Sequence, residues 1–501
     1  MSAHLLALPI AWPMLAGALL LMTGHWSPAS RRALSLLACL IGLAASAGLL
    51  SASLDQGPVV SAIGNWPVAL GIVLVLDPLS GLMLVLSGVL GCAATLHADT
   101  RADGDGARWH ALLQFQLMGL NGAFLTGDLF NLFVWFEVLL IASYGLLLAS
   151  SERGTVRAGI GYVVINLCGS ALFLVALALI YGSAGTLNMV DLGTALPQLP
   201  PPARASMLVA GALLLVVFSV KAALLPLCFW LPGGYAAASG AVAVMFAVLT
   251  KVGLYALLRV GGTVYAGEAG LASALLLPVG LATLAAGTLG ALAAPDLSRL
   301  AAQAVIASAG TAVVAFAVGG APAVAAGVLY LLQSSLTAAL LFLMSDGLRR
   351  SHADGDRFAA SEVHAPSPAQ SALLLLALLA IAGVPPFPGF LAKATLLAAA
   401  QDHPQAAIVW AMLLAGSLLM LLACTRAFAM LVWRRAARPI AASVAPQLAS
   451  LTLVALVLSA SVAVAPIHRA ALAAAESALD PTQAGAAQAA ATIQPRPTVA
   501  P

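Results

Sequence analysis

The sequence predicts an all-α polytopic membrane protein of about 14 transmembrane helices. Three observations carry that expectation. Hydrophobic residues make up 62% of the 501 and charged residues 8%, with mean hydropathy +1.04, whereas soluble domains carry roughly 25% charged residues. Apolar segments of about 20 residues, enough for a helix to cross a hydrocarbon core of roughly 30 Å, recur almost end to end. The charges gather in the connections between these segments, and unevenly on the two sides.

Taken in order, the expected spans are approximately 4–24, 33–53, 70–96, 109–127, 129–149, 158–182, 207–229, 236–259, 270–293, 300–319, 322–346, 370–399, 406–433 and 447–466. The first begins at Met1 without a basic leader or a clear cleavage site and is expected to be retained. Thirteen arginines fall in connections on one side of this topology and four, Arg204, Arg259, Arg469 and Arg496, on the other. The positive-inside rule puts the arginine-rich face in the cytoplasm and both termini outside, as an even number of spans requires. Residues after about 470 are rich in Ala, Pro and Gln and read as a flexible exterior tail. The chain then divides into N-terminal helices (1–106), a first group of five spans (107–260), a second group of five (261–435), a last span (436–470) and the tail (471–501).

The same census isolates the chemistry. Of 21 basic residues, four remain inside the spans: Lys221, Lys251, Lys393 and Arg426, and the three lysines are the only ones in the chain. A charge at mid-bilayer costs at least ~2.5–3.5 kcal/mol, so such residues line a wet, protein-enclosed path in preference to facing lipid. An ammonium gives up its proton readily on burial, whereas a guanidinium stays charged. In FSVKAALLPLCFWLPGGY, Lys221 precedes Pro226, which removes a backbone hydrogen bond that lipid cannot replace, and the helix is expected to break there. In VPPFPGFLAKATLL, Lys393 follows Pro385, Pro386 and Pro388, a second expected break. Lys251, in AVLTKVGLYALLR, comes 30 residues after Lys221, about the length needed to cross, turn and return to similar depth.

Among the 18 acids only Glu137, in GDLFNLFVWFEVLLIASYGLLL, lies near the middle of a span. It reads either as the acidic end of a proton path or as a fixed counter-ion for a lysine, and the two roles are compatible. Asp128 opens the same span and suits a helix cap better than transport. Snorkelling is the alternative for Lys251 and Lys393, which lie deep for it, and the preferred reading of Arg426, about two turns from the cytoplasmic end of its span. TRAFAMLVWRR after the second broken segment echoes TKVGLYALLR after the first. That echo points to two five-helix repeats, each with one broken helix, the second inverted because each repeat has an odd number of helices.

Other chemistries find no support. Cys39, Cys92, Cys168, Cys228 and Cys424 lie in apolar segments without a CxxC pair and read as packing residues. The eight histidines lie in connections or near span ends, and GxGxxG, P-loop and HExxH signatures are absent. No metal, cofactor or nucleic-acid partner is expected.

Together NGAFLTGDLFNLFVWFEVLLIASYGLLL, VKAALLPLCFWLPGGY, TKVGLYALLR and VPPFPGFLAK resemble the proton-translocating antiporter-like membrane subunits shared by respiratory complex I and the multi-subunit monovalent cation/proton antiporters. The first stretch most resembles the D subunit of the latter, the Mrp or Pha type, and the resemblance spans roughly residues 70–435. It implies a fourteen-helix fold of two inverted five-helix repeats with broken helices 7 and 12. Glu137 then matches the fifth-helix glutamate, Lys221 and Lys251 the seventh- and eighth-helix lysines, and Lys393 the charged residue of the broken twelfth helix. It also implies a transporter subunit with no cofactor. Its partners would be other subunits of a membrane antiporter complex in the lipid bilayer of a bacterial cytoplasmic (inner) membrane, exchanging H+ for Na+ or K+. Cys228 departs from a histidine common in relatives, and Gln333 and Thr337 occupy the eleventh span where many have histidine or lysine. YAAASGAVAVMF lacks a proline often found before the eighth-helix lysine.

The expected mechanism is an electrostatic relay from Glu137 through Lys221 and Lys251 to Lys393. A redox-driven pumping subunit of complex I or of a membrane-bound hydrogenase is one alternative, and a non-conducting scaffold is another.

Overall fold

The computed structural model describes residues 3–63, 71–98, 106–149, 153–351, 355–358, 366–433 and 445–492. Helices dominate it. The chain opens with α1 (Leu8–Met22) and α2 (Pro28–Gln56), followed by an antiparallel pair of short strands, β1 (Val59–Ala62) and β2 (Val73–Leu76), with Val59 opposite Leu76. Then come α3 (Pro78–His97), α4 (Gly106–Leu125), α5 (Leu129–Leu148), α6 (Arg153–Ala184), the short α7 (Met189–Ala195), α8 (Pro201–Ala222) and α9 (Trp230–Ala237). The second half holds α10 (Gly240–Thr263), α11 (Ala269–Ala293), α12 (Leu297–Val318), α13 (Gly320–Ser351), α14 (Pro368–Ala382), α15 (Pro388–Ala399) and α16 (Ala406–Phe428). The chain closes with α17 (Ala445–Val462), α18 (Val464–Leu479) and α19 (Pro481–Thr492).

Among the described residues, 11 helices are long and apolar enough to cross a membrane, or 12 if α17 and α18, bent by 81° at their junction, are one span. The expected spans outside those 11 are helical as well. α4 carries Arg108, His110, Gln114, Gln116 and Asn121, and the 370–399 segment is divided into the two shorter helices α14 and α15. The expected span 70–96 starts later, at Pro78. Val73 and Val75 are β-branched and pair in β2, and Asp77 then starts the helix through a capping box with Ser80.

The helices form an inner and an outer set. The most apolar stretch of α10 is wholly buried, and α12, α13 and α3 follow closely, while less than half of the same stretch of α2, α6 and α16 is buried. A helix that is apolar all round and buried all round belongs at the centre of a bundle. α10 is that helix, with α3, α8, α12 and α13 against it. Gly253 lets α10 approach α8 closely, because a Cβ there would stand 2.6 Å from the Ala222 nitrogen and 2.9 Å from the Lys221 carbonyl carbon.

Both expected breaks are present: residues 223–229 separate α8 from α9, and residues 383–387 separate α14 from α15. Each first half-helix ends in a left-handed residue, Ala223 at φ 54° and Gly383 at φ 74°. Pro226, Pro385 and Pro386 lie in the breaks and are exposed.

The expected flexible tail after residue 470 is instead helical through Thr492, and its first part is packed. Ala470, Ala471, Ala474, Ala475 and Ala478 recur on one face of α18 and are buried, with α3 and α13 as its neighbours. Alanine's small side chain permits that close approach, which composition alone hides.

Candidate functional site

Glu137 is in the middle of α5 and half-buried. The Ser170 hydroxyl, from α6, donates to its carboxylate. Lys221 is in the last turn of α8, 4% exposed, and its ammonium donates to Ser170 Oγ and to the Asn166 carbonyl, each at 3.3 Å. It also stands 5.8 Å from the centroid of the Phe136 ring. The acid and the lysine are therefore joined through one serine. The last turn of a helix also favours a cation, because its free carbonyls carry partial negative charge.

Lys251 sits at the centre of α10, 1% exposed, and donates to Ser308 Oγ of α12 at 2.5 Å. Its depth excludes snorkelling. Lys393, half-buried in the middle of α15, reaches back across the break to the carbonyl of Ala382, the last residue of α14, at 3.1 Å. A Cβ on Gly383 would stand 3.1 Å from its Nζ, so the glycine serves both the positive φ and the space for the ammonium. The Tyr330 ring centroid is 5.7 Å away. Gln333 and Thr337 are engaged elsewhere: Gln333 donates to the Ala380 carbonyl at 2.9 Å, and Thr337 bonds back to carbonyls of its own helix.

The two accessory residues serve helix ends. Asp128 is the N-cap of α5, accepting from the Asn131 backbone N–H at 2.7 Å. Arg426 is exposed and donates to the carbonyls of Leu292 and Ala294 at the end of α11, the latter at 3.2 Å.

Sequence reasoning missed three groups. Ser170 and Asn166 looked like ordinary small polar residues of the sixth span. Arg259, counted with the exterior connections, is 7% exposed and makes a forked ion pair with Asp77, at 2.6 and 2.8 Å, while Tyr255 accepts from it and donates to the Phe124 carbonyl. The signal was there: Lys251, Tyr255 and Arg259 are spaced by four on one helix, and Asp-Pro-x-Ser is a helix start. His97 meets Asp346 at 2.7 Å, and Arg350 completes that cluster. Among the described residues, no three His, Cys, Asp or Glu side chains are grouped as metal ligands.

The family model described as NADH:quinone oxidoreductase/Mrp antiporter, transmembrane, matches residues 126–422. A probable K+/H+ antiporter D subunit from Rhizobium meliloti is 39% identical over 440 residues, 82% of this chain and 81% of that protein. A Na+/H+ antiporter D subunit from Alkalihalophilus pseudofirmus is 33% identical over 434 residues, 86% of this chain and 87% of that protein. Among solved structures, a chain of the Mrp complex from Dietzia sp. DQ12-45-1b matches at TM-score 0.88 and 26% identity, over 97% of this chain and 100% of that one. A chain of respiratory complex I from Thermus thermophilus has the same fold, at TM-score 0.81 and 24% identity over 95% of this chain and 100% of that one.

Proposed function

The chain belongs to the NADH:quinone oxidoreductase/Mrp antiporter family, and from that premise we propose that it is the proton-conducting subunit of a multi-subunit monovalent cation/proton antiporter. The observation that carries the reading is the Glu137–Ser170–Lys221 bridge, with two further lysines held inside the helix bundle. Buried ionisable groups are expensive, and a scaffold has no use for three separate ammonium groups. Relatives named as the D subunits of Na+/H+ and K+/H+ antiporters favour an antiporter assembly over a redox-driven pump.

The relay works as follows. While Glu137 is ionised, the Ser170 bridge favours the charged form of Lys221. When that bridge loosens, an ammonium deprived of its counter-charge in a buried site sheds its proton, which passes through water to Lys251 and on to Lys393. Lys393, beside the second break, exchanges with one side of the membrane. Exchange of Na+ or K+ is coupled to this flow by the partner subunits. The complex resides in a bacterial cytoplasmic membrane, and the excess of arginine on one side supports an orientation with both termini outside.

The test uses the whole complex in vesicles, with co-purification of the subunits as the control for assembly. Glu137→Gln and Lys221→Ala are each expected to lower cation/proton exchange by about tenfold or more. The double variant is expected to be no worse than the more severe single one, because the two residues act as one unit. Undiminished exchange in both singles would remove the relay and leave the chain a scaffold.

A further inference from the structure

Lys251 of α10 touches α12, and Lys393 of α15 faces the Tyr330 ring of α13, so α12 and α13 carry the hydroxyls that stand next to the two lysines. Lys251 meets Ser308 Oγ at 2.5 Å. Thr311 follows Ser308 by three residues, one turn along the same face of α12, a separation of about 5–6 Å between Cβ atoms that one water spans. Thr311 and Tyr330 line a small chamber with Lys393, joined by Thr288 of α11 and Ser417 of α16. The chamber has room for about one ordered water and supplies the several polar partners that such a water needs. Gln333 and Thr337, on the same helix as Tyr330, are outside the chamber lining and hydrogen-bonded elsewhere.

We propose that Ser308, Thr311 and Tyr330, with water held in this chamber, carry the proton between Lys251 and Lys393, and that the Tyr330 hydroxyl is the last protein group before Lys393. The proposal rests on the relay described above. The net step converts a Lys251 ammonium and a Lys393 amine into a Lys251 amine and a Lys393 ammonium. Each hydroxyl between them accepts a proton on oxygen as it releases its own, so none is left charged. At rest the Ser308 hydroxyl donates to the Val305 carbonyl at 2.7 Å and the Thr311 hydroxyl to the Ala307 carbonyl at 3.0 Å. Rotation of both out of these local bonds therefore opens the path.

Tyr330→Phe keeps the ring beside Lys393 and deletes only the hydroxyl, and Thr311→Val does the same at the preceding step. In the assembled complex each is expected to lower exchange by about tenfold, with the solvent deuterium isotope effect increased, while Thr311→Ser restores the rate. Wild-type exchange and an unchanged isotope effect in both Tyr330→Phe and Thr311→Val would overturn the proposal. Lys251→Ala, measured in parallel, separates the two readings. Loss at Lys251 with none at Tyr330 or Thr311 removes the hydroxyl link and leaves the relay standing. Full exchange in Lys251→Ala removes the relay, and this link with it.

Discussion

Lys221 and Lys393 each stand beside a break in the helix path, Lys221 in the last turn of α8 before the first break and Lys393 in α15 after the second. The Lys221 ammonium is held by α6, at the Asn166 carbonyl and Ser170 Oγ, whereas that of Lys393 reaches back to the Ala382 carbonyl at the end of α14. Each also has an aromatic face within 6 Å, Phe136 at 5.8 Å and Tyr330 at 5.7 Å. The company they keep otherwise differs. Glu137 is one serine away from Lys221, while the hydrogen bond of Lys393 runs to a backbone carbonyl. A neighbouring break and an aromatic face are thus common to the two lysines, and among the described residues a carboxylate is bridged only to the first. In the proposed relay, a proton at Lys221 answers to the state of Glu137, and a proton at Lys393 to the chamber beside Tyr330.

The largest effect that would sharpen this contrast is expected at Lys393. Lys393→Arg keeps a positive charge opposite the Ala382 carbonyl but replaces a group that releases protons with one that does not. Exchange by the assembled complex is expected to fall by about a hundredfold. Activity close to that of the unaltered complex would make Lys393 an electrostatic post, and the two breaks would then be alike in geometry only.

Next in size is Ser170→Ala, which removes the donor to Glu137 and the acceptor for Lys221 in one step. Hydrogen bonds to charged groups contribute about 1.5–3 kcal/mol, and the lower end of that range, a drop of roughly tenfold, is the minimum expected. The non-additivity between Glu137→Gln and Lys221→Ala should shrink in the Ser170→Ala background. If that coupling persists in full, the acid and the lysine communicate directly and the first half needs no bridging serine.

What the sequence made legible, and what it hid, divides along the same physical line. A charge in an apolar run is conspicuous, so Glu137 and the three lysines stood out, and prolines announced both breaks. The depth of each lysine followed from its distance to the span ends. Neutral hydroxyls and amides carry no such cost, and nothing in the order of residues shows which helix they face. Ser170, Ser308 and Tyr330 could be placed only once α6, α12 and α13 were packed against their neighbours. Arg259 was hidden for another reason: it lies near a helix end, where arginine is normal, and its partner Asp77 is 182 residues away. The tail was misjudged because an alanine-rich stretch carries little hydrophobic signal yet fits closely against α3 and α13.

The smallest effect tests the ends of the first half against its middle. Asp128 and Glu137 share α5, nine residues apart, and both are half-buried carboxylates. Asp128 is occupied with the start of its helix, where its carboxylate accepts the Asn131 N–H and meets the positive end of the helix dipole. Asp128→Ala is therefore expected to cost about 1 kcal/mol of stability, seen as a lower unfolding temperature of the purified complex. Asp128→Asn keeps an accepting oxygen and should recover most of that loss. Exchange per assembled complex, and its dependence on pH, should remain those of the unaltered protein in both variants. A fall in exchange that Asp128→Asn shares with Asp128→Ala would show that the charge matters more than the cap, and would extend the acidic side of the contrast from one carboxylate to two.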